Sequence, residues 1–490
     1  MRPTILRRFS ITPRIVQGSP ADNALFAPQY SLKGYDSRKE EASVWILALS
    51  SSGRQAATDG IAKKEGIMRS MVVDMIGGTI CAACLFMGLP VTAEDLPQDM
   101  AVVDAECTEP GGIIWKRQFG TQDDDRATGV AVDAGGNILI AGYTWGSLGG
   151  PNQGNEDAFV AKYDANSKHL WTRQFGTGAA DEGYGVATDV AGNVVIAGST
   201  YGSLGGFNRG YSDVFIAKYD VNGKHLWARQ FGTGTGEEAY SLATDAAGNV
   251  VVAGYTWGSL GGANQGNEDA FVAKYDANGK HLWTRQFGTA EGDRAYGVAT
   301  DGSDNVVIAG WSNFNPFIAK YDAGGQLLWA RVFDLGYYDY VAAVATDVAG
   351  NIVIAGGYDD NQAHVAKYDG SGNRLWRRYV GGPNYNHPGG PPRFHWFTGV
   401  AADTTGNVLI AGYRIRIGWK SGYILLVAKY DASGNHLWTR LLDPGIDAYA
   451  EANGVATDAA GNVVVAGWTD TSLGGPHKGE DDAFVAKLCP

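Results

Sequence analysis

The chain carries 70 glycines and 16 prolines in 490 residues, a glycine share about twice the usual ~7% but without the proline content of collagen. Apolar residues make up 44% and aromatics 11%, which excludes a disordered bulk. The formal charge of −13 excludes a phosphate-backbone binder, whose contact face must be basic, and glycine mixed with β-branched and aromatic residues points to many short strands joined by turns.

Residues 1–67 show no sustained periodicity and read as disordered or as an upstream extension. Residues 68–93 have the three-part layout of a secretory signal. Lys63, Lys64 and Arg69 form a basic flank, an apolar run broken by Asp74 extends from Met71 to Leu89, and Val91-Thr92-Ala93 offers a cleavage site before Glu94. The alternative is an uncleaved signal-anchor with the basic flank inside. In both cases the remainder is expected to be exported, as a periplasmic, cell-surface or secreted protein. The first 93 residues hold 11 Lys and Arg against 7 Asp and Glu, so residues 94–490 hold 28 against 45, a net of −17. That balance favours solubility and cation binding. Residues 94–110 read as a short linker.

From residue 111 one pattern recurs seven times. Tryptophans fall at Trp115, Trp171, Trp227, Trp283, Trp329, Trp376 and Trp438. Around each runs W-x-R-x-F, a loop, G-V-A-x-D-x-x-G-N-V-V-I-A-G, a second loop, then F-V-A-K-Y-D-x-x-G-x-x-L-W. Residues 142–177 and 254–289 differ only at Pro151/Ala263 and Ser167/Gly279. The first repeat holds four short apolar runs, near 128–132, 137–143, 158–164 and 168–175. They are too short for ordinary helices and rich in β-branched residues, so they read as strands. The connections Asp133 to Asn137 and Asp164 to Lys168 suit tight hairpins. A four-stranded antiparallel meander that is apolar on both faces must stack on neighbours. Seven of them predict an all-β, seven-bladed β-propeller over residues 111–490, with an open solenoid as the alternative.

The chain ends decide between ring and solenoid. The repeats open with a lone fourth-strand motif, Gly111 to Phe119, and stop after a third-strand motif, Ala483 to Lys487. A one-plus-three closure, in which the leading strand completes the last blade, leaves no free edge. Cys81 and Cys84 fall in the signal segment, which leaves Cys107 and Cys489. In repeat register these two stand where Tyr163 and Asp164 stand, neighbours in an intact blade. A Cys107–Cys489 disulfide is therefore expected in an oxidising compartment, worth on the order of 4–5 kcal/mol in the chain-entropy model.

The segments W-x-R-Q-F-G-T, G-N-V-V-I-A-G-x-T and D-A-F-V-A-K-Y-D-A-N-G-K-H-L-W resemble the bacterial beta-propeller repeat family called SBBP, over about residues 111–490. The resemblance implies an exported bacterial repeat protein and brings no catalytic motif with it.

A ligand site in a ring breaks the repeat, whereas a structural role follows it. The seven tryptophans recur, as do the arginines two residues after each, His169, His225, His281 and His436, and Lys162, Lys218, Lys274, Lys320, Lys367, Lys429 and Lys487. These are assigned to packing and pairing between strands. Acids recur before the first strand at Asp125, Asp181, Glu237, Asp293 and Asp339, and at the opening of the third at Asp157, Asp213, Asp269 and Asp482. Both sets belong to long loops on one face of the ring, opposite the tight turns. These carboxylates either accept backbone N–H bonds or hold calcium, with Asp123, Asp124, Asp125, Glu156 and Asp157 as candidates, although no D-x-D-x-D-G loop is present. No other cofactor is expected.

The non-repeating residues gather in repeat six. Its leading loop expands to include Asn386, His387, Arg393, His395 and Trp396, and its central hairpin lengthens through Arg414, Arg416, Trp419 and Tyr423. Arg393, His395, Trp396, Arg414, Arg416, Trp419 and Tyr423 form the candidate ligand site, suited to anionic or carbohydrate partners through forked hydrogen bonds and stacking. An ordinary protruding hairpin is the alternative. The signatures G-x-S-x-G, H-E-x-x-H and G-x-x-x-x-G-K-[ST] do not occur, and Gly232 to Gly236 opens no helix, so it is no dinucleotide site. The expectation is an exported, monomeric binding or scaffold module. It would recognise a protein, glycan or anionic ligand through its long-looped face, without catalysis and without nucleic acid. The alternative is a lyase or hydrolase at the mouth of the central channel, using His387 or His395 with a carboxylate.

Overall fold

The computed structural model describes residues 102–103, 107–333, 340–357, 362–381, 395–416 and 421–490, and every regular element among them is a strand. Residues 68–93, expected to be a secretory signal, and the residues before them lie outside the described residues. The first repeat forms Asp125–Val132, Ile138–Thr144, Asp157–Tyr163 and His169–Phe175, paired in chain order as an antiparallel sheet. Five more sheets repeat it, and a seventh is built from both chain ends. The first strand starts at Asp125, ahead of the apolar run that begins near residue 128. The reason is a β-bulge between Ala127 and Gly129, which breaks the alternation so that the apolar pattern shows only beyond it. The same register shift recurs in the inner strand of every blade.

The two central strands of a blade are buried on both faces along nearly their whole length. Such a sheet has no side to offer water, and stacking is its means of burial. Leu139, Ala141, Ala158 and Val160 of the first blade pack against Val186, Val194, Ile196 and Phe215 of the second. Burying Phe215 completely contributes about 1.5–3 kcal/mol. Seven clusters of this kind fill the seven junctions.

The recurring charged and aromatic residues act as sequence pattern assigned them. In the turn after each inner strand an aspartate organises the chain. Asp245 Oδ1 accepts N–H bonds from Ala247 at 3.0 Å and Asn249 at 2.9 Å, while Oδ2 meets Lys274 Nζ at 2.8 Å. All seven blades carry this buried ion pair. Burial alone would raise the Asp245 carboxyl, but the bonds from Lys274 and Asn249 outweigh it and hold it below its ordinary value. At the rim, Trp283 Nε1 donates to Ala323 O at 3.1 Å and Arg285 Nε to Gly325 O at 2.7 Å, so each outer strand is latched to the next blade's turn.

The ring closes as one plus three. Ala450–Thr457, Val463–Thr469 and Asp482–Leu488 are completed by Ile113–Phe119, with Trp115 opposite Lys487. A short strand, Val102–Val103, pairs outside it. Cys107 and Cys489 are disulfide-bonded with their Cα atoms 5.6 Å apart. Cys489 N donates to Gly112 O at 2.7 Å and Gly111 N to Cys489 O at 3.3 Å, which rebuilds the outer turn across the chain break. The break leaves one mark. Trp438 Nε1 is buried without an acceptor, because the turn that serves its counterparts is the one interrupted here.

Candidate functional site

The inner strands of the seven blades surround a channel. The bulge displaces one residue per strand, and these residues, Thr128, Tyr184, Tyr240, Tyr296, Ala342, Thr398 and Asn453, line a cavity of about 220 Å³. Two places earlier stand Arg126, Glu182, Glu238, Arg294, Tyr340, Trp396 and Glu451. Both layers vary from blade to blade within strands whose other positions repeat. Tyr184, Tyr240 and Tyr296 meet across consecutive junctions with ring centroids 5.7 and 5.2 Å apart. Tyr340 and Trp396 continue the arc at 6.4 and 5.8 Å. On the long-looped side, Tyr240, Tyr296, Tyr340, Trp311 and Phe314 wall an opening of about 560 Å³ that shares Ala342 and Thr398 with the channel. Trp311 Nε1 donates to Tyr296 Oη at 2.9 Å, and its ring stacks on Phe314 at 5.7 Å.

Charge is distributed unevenly around this mouth. Arg126 pairs with Asp481 at 2.5 Å and Arg294 with Glu268 at 2.8 Å. Glu182 and Glu238 instead accept from the tyrosine hydroxyls of Tyr184, at 2.5 Å, and Tyr240, at 3.0 Å. Burial pushes the phenols of Tyr184, Tyr240 and Tyr340 up, so they remain neutral hydrogen-bond donors. The arrangement offers aromatic faces, hydroxyl donors and carboxylate acceptors in one concave patch, a chemistry of stacking and hydrogen bonding.

The candidate residues of repeat six divide. Trp396 joins the aromatic arc. His395 is buried at the head of the same strand, opposite Arg414 in register. Arg416 turns to the leading loop of blade seven, where Asp443 accepts at 2.5 Å and Gly445 O at 2.6 Å. Tyr423 stacks on Tyr413 at 4.7 Å and meets Tyr449 edge-on at 4.8 Å. Arg393 and Trp419, with Asn386, His387 and Asp339, lie outside the described residues.

The five calcium candidates belong to two separate junctions. A Cβ at Gly120 would lie 2.2 Å from Asp482 Oδ1 and 2.9 Å from Asp125 Oδ2, and one at Gly176 would lie 2.0 Å from Asp157 Oδ1 and 3.2 Å from Asp181 Oδ2. Asp125 thus sits with Asp482, and Asp157 with Asp181. Asp125 Oδ2 accepts from Thr121 N at 2.5 Å, and Asp157 Oδ2 from Gln153 N at 2.9 Å and Gln174 Nε2 at 2.9 Å. Among the described residues no three His, Cys, Asp or Glu side chains converge as a metal cluster. A larger groove of about 1640 Å³ lies at the rim between Arg117 and Arg173, but the residues that line it include the recurring Trp171, Arg173 and Lys162, and they belong to the structural repeat.

Apart from Trp396, the channel-mouth residues escape a reading by insertions because they sit inside a strand motif. Their signal is a variable pair of positions just ahead of the repeating G-V-A-T segment, as Glu182 and Tyr184 stand before Gly185 to Thr188.

Buried carboxyls make stability depend on pH in a stated direction. Burial pushes Glu451 up to about 7 from 4.5, and pushes Asp125, beside Asp482, up to about 6 from 3.8. A carboxyl raised in the folded state penalises folding while ionised, so stability should rise as pH falls from about 7 to 4.5 for Glu451 and from about 6 to 3.8 for Asp125. His364, buried and pushed down to about 4, acts the other way once pH falls below its ordinary 6.5. Two raised carboxyls outweigh one lowered imidazole, so the unfolding temperature is expected to climb as pH falls from 7 to about 4.5, and Glu451→Gln should flatten that climb. Thermal melts across the pH range check this, and a steady rise toward alkaline pH would contradict it.

Closed ring, seven four-stranded blades and a non-repeating mouth define a seven-bladed β-propeller with its distinctive chemistry on the long-looped face. No helix among the described residues is long and apolar enough to cross a membrane. The chain carries repeats of the SBBP family, described as a beta-propeller repeat, whose profile matches residues 114–149, 170–205 and 282–318. Each match begins in the outer strand of one blade and runs into the next, so the family's unit is offset from the blade. The regulatory protein FlaEY of Caulobacter vibrioides is 31% identical over 178 residues, 32% of this chain and 18% of that protein. An uncharacterized WD repeat-containing protein of Acanthamoeba polyphaga mimivirus is 23% identical over 265 residues, 41% of this chain and 19% of its own. A solved puromycin hydrolase aligns with a TM-score of 0.45 at 12% identity, covering 71% of this chain and 51% of that one. The chain therefore spans less than a fifth of the curated relatives it matches.

Proposed function

We propose that the protein is an exported, non-catalytic binding or scaffold module that takes a protein or glycan partner on its long-looped face, anchored at the aromatic mouth of the channel. The observation that carries this reading is the arc of Tyr184, Tyr240, Tyr296, Tyr340 and Trp396 beside the 560 Å³ opening. Rigid aromatic rings bury much area at low entropic cost and stack on sugars and side chains alike. Half-exposed Trp145 and Trp257 and exposed Phe207 and Tyr211 stand on the long loops and extend the contact surface. Export is supported by the signal layout of residues 68–93 and by the Cys107–Cys489 bond, which belongs to an oxidising compartment. The FlaEY relative is named a regulatory protein, a description that suits recognition without chemistry.

Glycan and protein arrays would identify a partner. Its affinity is expected to fall at least about tenfold in Tyr340→Ala or Trp311→Ala and to persist in Leu226→Ala at the rim. Loss in the Leu226 variant with retention in the Tyr340 variant would move the site off the mouth.

A further inference from the structure

The junctions around the mouth follow one scheme. Where blade seven meets blade one, Arg126 lies 4.7 Å over the Trp468 ring and pairs with Asp481. Where blade three meets blade four, Arg294 lies 4.6 Å over the Tyr255 ring and pairs with Glu268. In both, one blade supplies an acid just before its third strand and an aromatic near the end of its second. The inner strand of the next blade supplies the guanidinium.

Where blade one meets blade two, the acid is Glu156 and the aromatic is Tyr143. The backbone register is the same: Asp181 N donates to Glu156 O at 2.8 Å, as Asp125 N does to Asp481 O at 2.8 Å and Asp293 N to Glu268 O at 2.7 Å. The arginine position, however, is Glu182. A second carboxylate stands where the scheme has a cation, and its hydrogen-bond partner is the neutral Tyr184 hydroxyl, at 2.5 Å, rather than a guanidinium. The charges acting on Glu182 are those of Glu156 and Glu238, and with burial they push its carboxyl up. Opposite Glu182 in the second strand stands Ser199, where blade four has Trp311 and blade three has Tyr255. Directly opposed residues share a face of the sheet. Ser199 is fully buried, and its Oγ has no hydrogen-bond partner, so an orphan polar atom stands opposite the Glu182 carboxylate.

We infer that this junction receives the cationic side chain, arginine or lysine, of a protein docked on the long-looped face, with Glu156 and Glu182 as its charge partners and the Tyr143 ring as its platform. This rests on the binding role proposed for that face and specifies the partner as a protein with an exposed basic side chain. A guanidinium there makes forked, charge-assisted hydrogen bonds and a cation–π contact, as Arg126 and Arg294 do within this chain.

The test is an NMR titration of the full chain with acetyl-arginine amide and with its uncharged isostere, acetyl-citrulline amide. The arginine probe is expected to bind at least about tenfold more tightly, and salt should weaken it. Glu182→Arg installs the guanidinium of the other junctions, so it should abolish probe binding while raising the unfolding temperature. Equal binding of the two probes, no binding of the arginine probe, or unchanged binding in Glu182→Arg would overturn the inference. A partner lost in Tyr340→Ala but insensitive to Glu182→Arg removes the cationic anchor alone and leaves the binding role of the mouth standing.

Discussion

Replacing Asp245 with alanine is expected to destabilise the protein by about 3–5 kcal/mol, the range for removing one partner of a buried ion pair. Lys274 is 2% exposed and would keep only a long contact to Ala323 O at 3.4 Å. The change also strips Ala247 N and Asn249 N of their acceptor, so the turn loses its organiser. Asp245→Asn should cost less, because an amide oxygen still accepts those N–H bonds. Adding Lys274→Met to the alanine variant should recover part of the loss, since the uncompensated buried charge goes with it. Urea unfolding followed by circular dichroism measures this. A loss below about 1 kcal/mol, typical of an exposed pair, would contradict the structural weight given to the pair.

Removing the disulfide is expected to cost at least as much. Cys489→Ser is expected to lower stability by on the order of 4–5 kcal/mol in the chain-entropy model, because the bond joins residues separated by 382 positions. The seventh blade would then hold its outer strand by hydrogen bonds and packing alone. Hydrogen exchange should therefore rise first in Ile113–Phe119 and Asp482–Leu488. Uniform acceleration across all blades would show that closure does not limit stability.

Much of this architecture is visible in the chain because a repeat announces its own parts. A lone fourth-strand motif at one end and a missing one at the other leave a single way to close the ring, and the same register brings Cys107 to Cys489. Lys274 and Asp245 recur together, so their pairing follows from pattern. The mouth is harder to see. Arg126, Glu182, Glu238 and Arg294 hide inside strands, and the bulge after Ala127 conceals that residues 126 and 128 both serve the channel mouth. Repeat six drew attention by its length, yet Arg416 is bound to Asp443 and Tyr423 packs among tyrosines, while Trp396 alone of the described set joins the aromatic arc. Insertion length reports where chain was added. It does not report which side chains end up facing an opening.

Fluorine NMR of protein labelled with 5-fluorotryptophan would locate recognition on the molecule. With a bound partner, the resonances of Trp311 and Trp396 should shift while those of the rim tryptophans Trp171, Trp227 and Trp283 stay in place. Shifts confined to the rim set, with Trp311 and Trp396 unmoved, would mean that the channel mouth is not where this propeller binds.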